Sequence, residues 1–352
     1  MLHISKRSVS VTLLALLLAI ALCSQAQTGA TQQGTLEAQA VGAQSGAEQR
    51  VSVLFTALGK DKKFVTTLKA EDIRVTADGG PRQVIELKRQ TDVPLFLAVA
   101  IDASASQERL LPNVRLVGDV FVRGMVLRSA DKAAVITFTG DLKIEQEMTA
   151  DVGKLREAIA RVRFVPPPGY LSGGVIISNS PPRNAAATRA ASTAMWDAVR
   201  YVAGEMMPRS LGAGRRALLL ITDGVDTSSH VKPDKAIAAA LQSEVAVYSI
   251  GVGDKFSFDG VDEKPLRKVA ERTGGRAFFP KTVGDLNTVF KQIEEELSSQ
   301  YVVAFAVPGG ARDGSFHKIK VEIVNPQLHA QDIQIAVPQG YYAGNAAASV
   351  KQ

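Results

Sequence analysis

The chain has 352 residues, of which 46% are hydrophobic and 22% charged, with a formal net charge of +6. That length allows two or three domains with a sizeable core, and the composition excludes a wholly disordered or membrane-embedded protein. The basic residues are scattered among acidic ones rather than gathered into a stripe with aromatics, so no nucleic-acid partner is expected.

Lys6 and Arg7 precede an unbroken apolar run, Leu13 to Leu22, followed by Ser24-Gln25-Ala26. A basic start, a short apolar stretch and a small-x-small triplet predict a secretory signal peptide over residues 1–26. The run is too short for a comfortable bilayer span, which takes about 20 apolar residues, so no stable membrane segment is expected after cleavage. Losing Lys6 and Arg7 takes the formal charge from +6 to +4, and it also removes Cys23, the only cysteine. The exported chain would have no disulfide and must rely on its own core. Lipid attachment at Cys23 is the alternative, with Leu22 standing where a lipobox carries a small residue.

Residues 27–48 are rich in Gln, Ala, Gly, Ser and Thr without hydrophobic period and read as a flexible linker. A β-rich segment is expected over 49–92, with runs Val51–Leu58 and Ile73–Ala77 broken by Gly59-Lys60-Asp61 and Asp78-Gly79-Gly80-Pro81. From Val93 apolar strands alternate with amphipathic helices. Strands are expected at 93–101, 133–139 with a hairpin partner at 142–147, 217–222 and 245–252, and helices at 110–126, 152–162, 194–206 and 234–241. Two further short segments, 266–272 and 276–279, precede a last helix with Leu286, Phe290, Ile293 and Leu297 on one face. Strands apolar on both faces and separated by helices predict an α/β domain over 93–299, a doubly wound, mostly parallel sheet with one antiparallel edge strand. Three more strands, 301–307, 317–324 and 331–337, fall in a C-terminal β-rich segment, 300–344. They are expected to join the N-terminal strands in a small β-sandwich-like unit, before a tail over 345–352.

Ligands of open α/β sheets bind at the carboxyl ends of parallel strands. One strand ends there in Asp102-Ala103-Ser104-Ala105-Ser106, another in Asp223-Gly224, and Thr193 opens a helix between them. The side chains of Asp102, Ser104, Ser106, Thr193 and Asp223 offer only oxygen, the donor preferred by hard cations such as Mg²⁺ or Mn²⁺. Neutral hydroxyls leave such an ion electrophilic, so an Asp or Glu carboxylate of a partner protein would complete its shell. Taken singly, each piece also fits a helix cap or a turn.

In their order and placement these residues resemble the metal-ion-dependent adhesion site of von Willebrand factor A domains, the group that includes integrin inserted domains. The flanking Leu68-x-x-Glu71-Asp72, Asp78-Gly79, Gln300-Tyr301 and Gly340-Tyr341-Tyr342 resemble the secreted VWFA-related acidobacterial family. The resemblance implies a Rossmann-like fold and a non-enzymatic adhesion or protein-binding role outside the cytoplasm. Ala105 and Ala191-Ser192 depart from the glycines frequent in the family. A metal-assisted hydrolase, or a structural envelope protein with an empty site, are the competing readings.

Other chemistry is poorly represented. His3, His230, His317 and His329 lack the spacing of zinc ligands, and no G-x-S-x-G elbow or complete dinucleotide loop occurs. Asp226, Thr227 and Ser228 read as turn residues, and Trp196 as core. The long connection Phe164–Arg189 is expected on the rim of the site, with Val175–Ile177 as an apolar strip.

Overall fold

The structure is a computed structural model. It describes residues 49–90, 92–124, 130–166, 170–171, 175–176, 192–207, 214–253, 260–307 and 314–343.

In chain order the elements are β1 (Gln49–Leu58), β2 (Ile73–Ala77), β3 (Gly80–Arg82), β4 (Val84–Arg89), β5 (Leu95–Asp102), α1 (Leu111–Gly124), β6 (Lys132–Phe138), β7 (Leu142–Thr149) and α2 (Val152–Arg161). After the two-residue strands β8 (Tyr170–Leu171) and β9 (Val175–Ile176) come α3 (Met195–Tyr201), β10 (Arg215–Thr222), α4 (Pro233–Gln242), β11 (Val245–Gly251), α5 (Glu263–Thr273) and β12 (Ala277–Phe278). The chain then forms α6 (Val283–Ser298), β13 (Tyr301–Val307), β14 (Phe316–Ile323), α7 (Pro326–His329), β15 (Gln334–Ala336) and β16 (Gly340–Tyr342).

Six strands form the central sheet in the order β12-β11-β10-β5-β6-β7, all parallel except the β6–β7 hairpin. The expected doubly wound sheet with one antiparallel edge is therefore present. Every residue of β5 and β10 is buried, which is why these strands read as continuous apolar runs. Alternation divides them between two cores. Leu97, Val99 and Ile101 of β5 and Leu219 and Ile221 of β10 pack with α1, α2 and α6. Ala98 and Ala100, with Leu218 and Leu220, face α3, α4 and α5. The small side chains on the second face make room for Met195 and Trp196 of α3, both buried there. Burying a Leu or Val in this way stabilises the fold by roughly 1.5 to 3 kcal/mol each.

Capping explains where several helices begin and end. Asp151 accepts from Lys154 N at 3.2 Å to start α2, and Thr282 and Asp285 form a reciprocal box at the start of α6. Gly274 ends α5 in the left-handed region, φ 83°, where a Cβ would meet Pro338 Cδ at 2.6 Å.

Two four-stranded sheets, β15-β1-β13-β4 and β16-β14-β2-β3, combine strands from both flanks of the α/β portion. Their inward residues, including Phe55, Val75, Tyr301, Phe305 and Val321, form one shared core. This is the sandwich-like unit expected from both chain ends, with β3, β4 and β16 as strands beyond those anticipated. The Asp78-Gly79 turn is held by Lys318 N, which donates to Asp78 Oδ1 at 2.9 Å, and by His317 Nδ1, 2.7 Å from Asp78 Oδ2. The His317 bond is the main reason the Asp78 carboxyl lies below the usual range.

Glu296 of α6 links the sandwich to the central sheet. Its fully buried carboxylate accepts from Thr56 Oγ1 of β1 at 3.0 Å and from Arg276 Nη1, just before β12, at 3.3 Å. Burial pushes the Glu296 carboxyl up, while the nearby Arg276 charge pulls the other way. Breaking one partner out of a buried pair leaves the other charge uncompensated. Glu296→Ala should therefore lower the unfolding free energy by about 2 to 3 kcal/mol, near the low end for buried pairs because Arg276 keeps 31% of its side chain exposed. Urea unfolding measures this, and a loss under about 0.5 kcal/mol, the range of ordinary surface changes, would show that the link carries little weight.

Candidate metal centre

The sheet changes direction between β5 and β10: from β5 the chain proceeds to β6 on one side, and from β10 to β11 on the other. The carboxyl ends of these two strands form the topological switch point, where α/β sheets bind ligands. Asp102 ends β5 and Asp223 follows β10, and both are buried, at 1% and 4% exposure.

Asp102 is gripped at both oxygens. Ser104 N donates to Oδ1 at 2.9 Å, an Asx-type turn that folds the loop back, and Thr222 Oγ1 donates to Oδ2 at 2.6 Å. Thr222 is itself fully buried at the end of β10, so this bond fastens the two strand ends together. Ser104 stands at the N-cap position of a single 3₁₀ turn, Ala105–Gln107, without capping it, and its hydroxyl lies 3.1 Å from that of Ser106. Ser104 is buried and Ser106 exposed, so the pair of hydroxyls runs from the interior to the surface.

Asp223 accepts from Val225 N at 2.9 Å and from Gln107 Nε2 at 3.0 Å. The Gln107 amide also donates to Val252 O at 3.2 Å, tying the Asp102 loop to the end of β11. Gln107 went unremarked in the sequence. Only its position three residues after Ser104 could have signalled it, since a glutamine on a short turn has no pattern of its own.

Thr193 is buried beside the end of β6. Ala194 N donates to Thr139 O at 2.7 Å, while Ala103 N donates to Phe138 O at 2.9 Å, so both loops hang from the same strand end. Thr193 N donates to Thr227 Oγ1 at 2.8 Å, and Thr193 O accepts from Thr227 N and Ser228 N. Asp226 accepts from Met195 N at 2.8 Å and from the Ser229 hydroxyl, which in turn receives Trp196 N at 3.0 Å. The segment read as a turn thus caps α3 from more than 30 residues away. The expected rim segment 164–189 lies largely outside the described residues, apart from 164–166 and the β8–β9 pairing of Tyr170 with Ile176 and Leu171 with Val175.

The structure therefore links Asp102, Ser104 and Ser106 by direct contacts, joins Asp223 to their loop through Gln107, and brings in Thr193 through the backbone of its neighbours. The donors on the two carboxylates are two backbone amides, the Thr222 and Ser104 hydroxyls and the Gln107 amide, none of them charged. Burial, with the Asp223 charge adding to it, pushes the Asp102 carboxyl up to about 7. Among the described residues no three His, Cys, Asp or Glu side chains converge, so the donor set is two carboxylates with hydroxyls. That set suits a hard, oxygen-seeking divalent cation and not zinc in a nitrogen and sulfur shell.

The histidines take other parts: His230 is exposed and pairs with Asp197 at 3.0 Å, and His317 serves the Asp78 turn. Trp196 is core, as expected.

Residues 183–292 match the von Willebrand factor type A domain family. This chain contains a von Willebrand factor type A domain. The matched stretch includes Thr193 and Asp223, and β10 within it pairs directly with β5, which carries Asp102. No curated protein matches the chain. Solved structures similar in backbone include proximal thread matrix protein 1 from the mussel byssus with zinc occupied MIDAS motif, at 15% identity, 60% of this chain, 50% of that chain and a TM-score of 0.43. A von Willebrand factor type A protein from Catenulispora acidiphila is similar at 12% identity, 86% of this chain, 74% of that chain and a TM-score of 0.45. The vWF domain of the type V pili tip protein Mfa5 from Porphyromonas gingivalis is similar at 12% identity, 58% of this chain, 95% of that chain and a TM-score of 0.40. The chain spans about half the length of the mussel protein.

The electrostatics of this domain's site predict opposite effects of one substitution. In chelator at pH 8, Asp102→Asn should raise the melting temperature, because it removes a buried negative charge beside Asp223 while an amide can still meet Ser104 N and Thr222. The same variant should lose any stabilisation by divalent metal. A lower melting temperature for Asp102→Asn in chelator would show that the carboxylate pair is not under strain.

Proposed function

We propose that this chain is an exported, non-enzymatic protein-binding module. A divalent cation, Mg²⁺ or Mn²⁺, would be held by Asp102, Ser104, Ser106, Thr193 and Asp223, and a partner protein's Asp or Glu would be captured there. The observation that carries this reading is the pair of buried carboxylates at one strand switch point, satisfied only by neutral donors. Two negative charges so placed repel one another unless one is protonated or a cation sits between them. When bound, the cation supplies a positive centre that accepts an external carboxylate.

The protein's residues divide the work. Asp102 and Asp223 supply the negative charge, and the Ser104, Ser106 and Thr193 hydroxyls supply neutral donors that leave the centre net positive. Ser104 N, Thr222 and Gln107 fix the carboxylates so that little reordering accompanies binding. A hydrolase would need a general base at the centre. In this reading both carboxylates are taken up as metal ligands, and the other groups that touch them are amides and hydroxyls, which favours capture over catalysis.

The basic start, apolar run and Ser24-Gln25-Ala26 of residues 1–26 support export, to the periplasm or the cell exterior. Among the described residues no helix is long and apolar enough to cross a membrane.

Calorimetry with Mg²⁺ and Mn²⁺ tests the site. Metal at a hundredfold excess over Kd should stabilise the fold by about 2.7 kcal/mol, read as a rise in melting temperature. Asp102→Ala and Asp223→Ala should abolish both heat and shift, and Ser104→Ala should weaken them. Absence of binding at millimolar metal, or unchanged binding by Asp102→Ala, would overturn the proposal.

A further inference from the structure

A cleft of about 450 Å³ opens beside the candidate metal centre, walled by the loop after Asp223 and by the beginnings of α4 and α5. Its lining includes Lys232, Lys264 and Lys268, set against Asp226 and Asp262. None of the five candidate ligands lines the cleft, but it borders the loop that carries Asp223. Gly224 lines it and immediately follows Asp223, and Asp262 N donates to Asp223 O at 2.8 Å. Gly224 sits at φ 85°, and a Cβ there would meet Asp262 O at 2.3 Å, so the two walls are packed against each other at backbone level.

The charges in the cleft are unevenly used. Asp226 takes Met195 N and the Ser229 hydroxyl, and Asp262 caps α5 by accepting from Lys264 N at 3.2 Å. Lys268 is paired with Asp234 at 3.1 Å. Lys232 and Lys264 are exposed and form no ion pair among the described residues. The acids of the cleft are thus committed to structural donors, while two ammonium groups face solvent next to a centre built to take a carboxylate.

We infer that the cleft is the second contact of an acidic segment of the partner protein: one Asp or Glu meets the metal, and a second acidic side chain a few residues along lies over Lys232 and Lys264. The inference rests on carboxylate capture at the metal and adds the partner's chemistry, a stretch with spaced acidic residues. Rim charges of this kind set specificity and encounter rate more than raw affinity. The gain should therefore be modest and salt-sensitive.

The test uses the whole exported chain with Mn²⁺ and synthetic glycine-rich peptides. One carries a single Asp, and the others carry a second Asp two, three or four residues on. At least one two-acid peptide should bind roughly five- to twentyfold tighter than the single-acid peptide in low salt. In the double variant Lys232→Glu, Lys264→Glu that advantage should vanish, with Mn²⁺ affinity by calorimetry unchanged, and 0.5 M salt should erode it in the wild type. If the single-acid peptide binds in Mn²⁺ but not in chelator, and no second acid improves it or the double variant keeps the gain, the cleft inference falls and the metal reading stands. If no peptide binds although Mn²⁺ does, carboxylate capture falls and the cleft inference with it.

Discussion

Asp102 and Asp223 are like charges buried side by side, and the surrounding structure is arranged to hold them there. Two carboxylates in a low-dielectric site repel each other and lose hydration. The protein answers with short hydrogen bonds from groups that cannot themselves neutralise the charge: Thr222 at 2.6 Å on Asp102, Gln107 at 3.0 Å on Asp223. A salt bridge would have relieved the pair permanently. Neutral donors fix the geometry and leave the charge unmet.

That arrangement depends on β5 and β10 being adjacent and parallel, in a register that sets Ile101 opposite Ile221. A slip of one residue would turn Asp102 toward the other face of the sheet and break its bond with Thr222. The register is protected by packing on both faces. Leu97, Val99 and Ile101 fit one core, and the small Ala98 and Ala100 admit Met195 and Trp196 on the other. Exchanging the faces would set Leu against Trp196 and leave voids under α1. The helix that brings Thr193 to the site is thus seated by the same alternation that aims Asp102.

Much of this was legible in the sequence because the period of burial is local. Continuous apolar runs marked β5, β10 and β11, and the Asp-x-Ser-x-Ser and Asp-Gly patterns stood at their ends. The unread parts have physical reasons. Val84–Arg89 is half charged, since β4 is a half-buried edge strand, and Gly340–Tyr342 is only three residues long. Helix α3 has no cap of its own: Asp226, Thr227 and Ser229 supply its start from another loop, and such long-range capping leaves no mark at the helix. Gln107 was invisible for the same reason, its two acceptors lying at Asp223 and Val252.

The sandwich and the α/β portion meet where α6 runs out into β13, with only Ser299 and Gln300 between them. Helix α6 therefore cannot shift along its axis without pulling on Tyr301, which is fully buried, stacked on Phe55 at 5.3 Å and bonded through its hydroxyl to Leu68 N. Glu296 adds a lateral hold, reaching Thr56 on β1 and Arg276 near the sheet edge. Arg215 closes the circuit by donating to the carbonyls of Val93 and Leu297, at the start of the α/β portion and the end of α6. These are polar contacts in a dry setting, where each lost partner leaves an unsatisfied group and costs more than a surface bond. The terminal strands, far in sequence from Asp102 and Asp223, therefore clamp the far end of the layer on which β5 and β10 rest. The support beneath the loops that carry Asp102 and Asp223 draws on both halves of the chain.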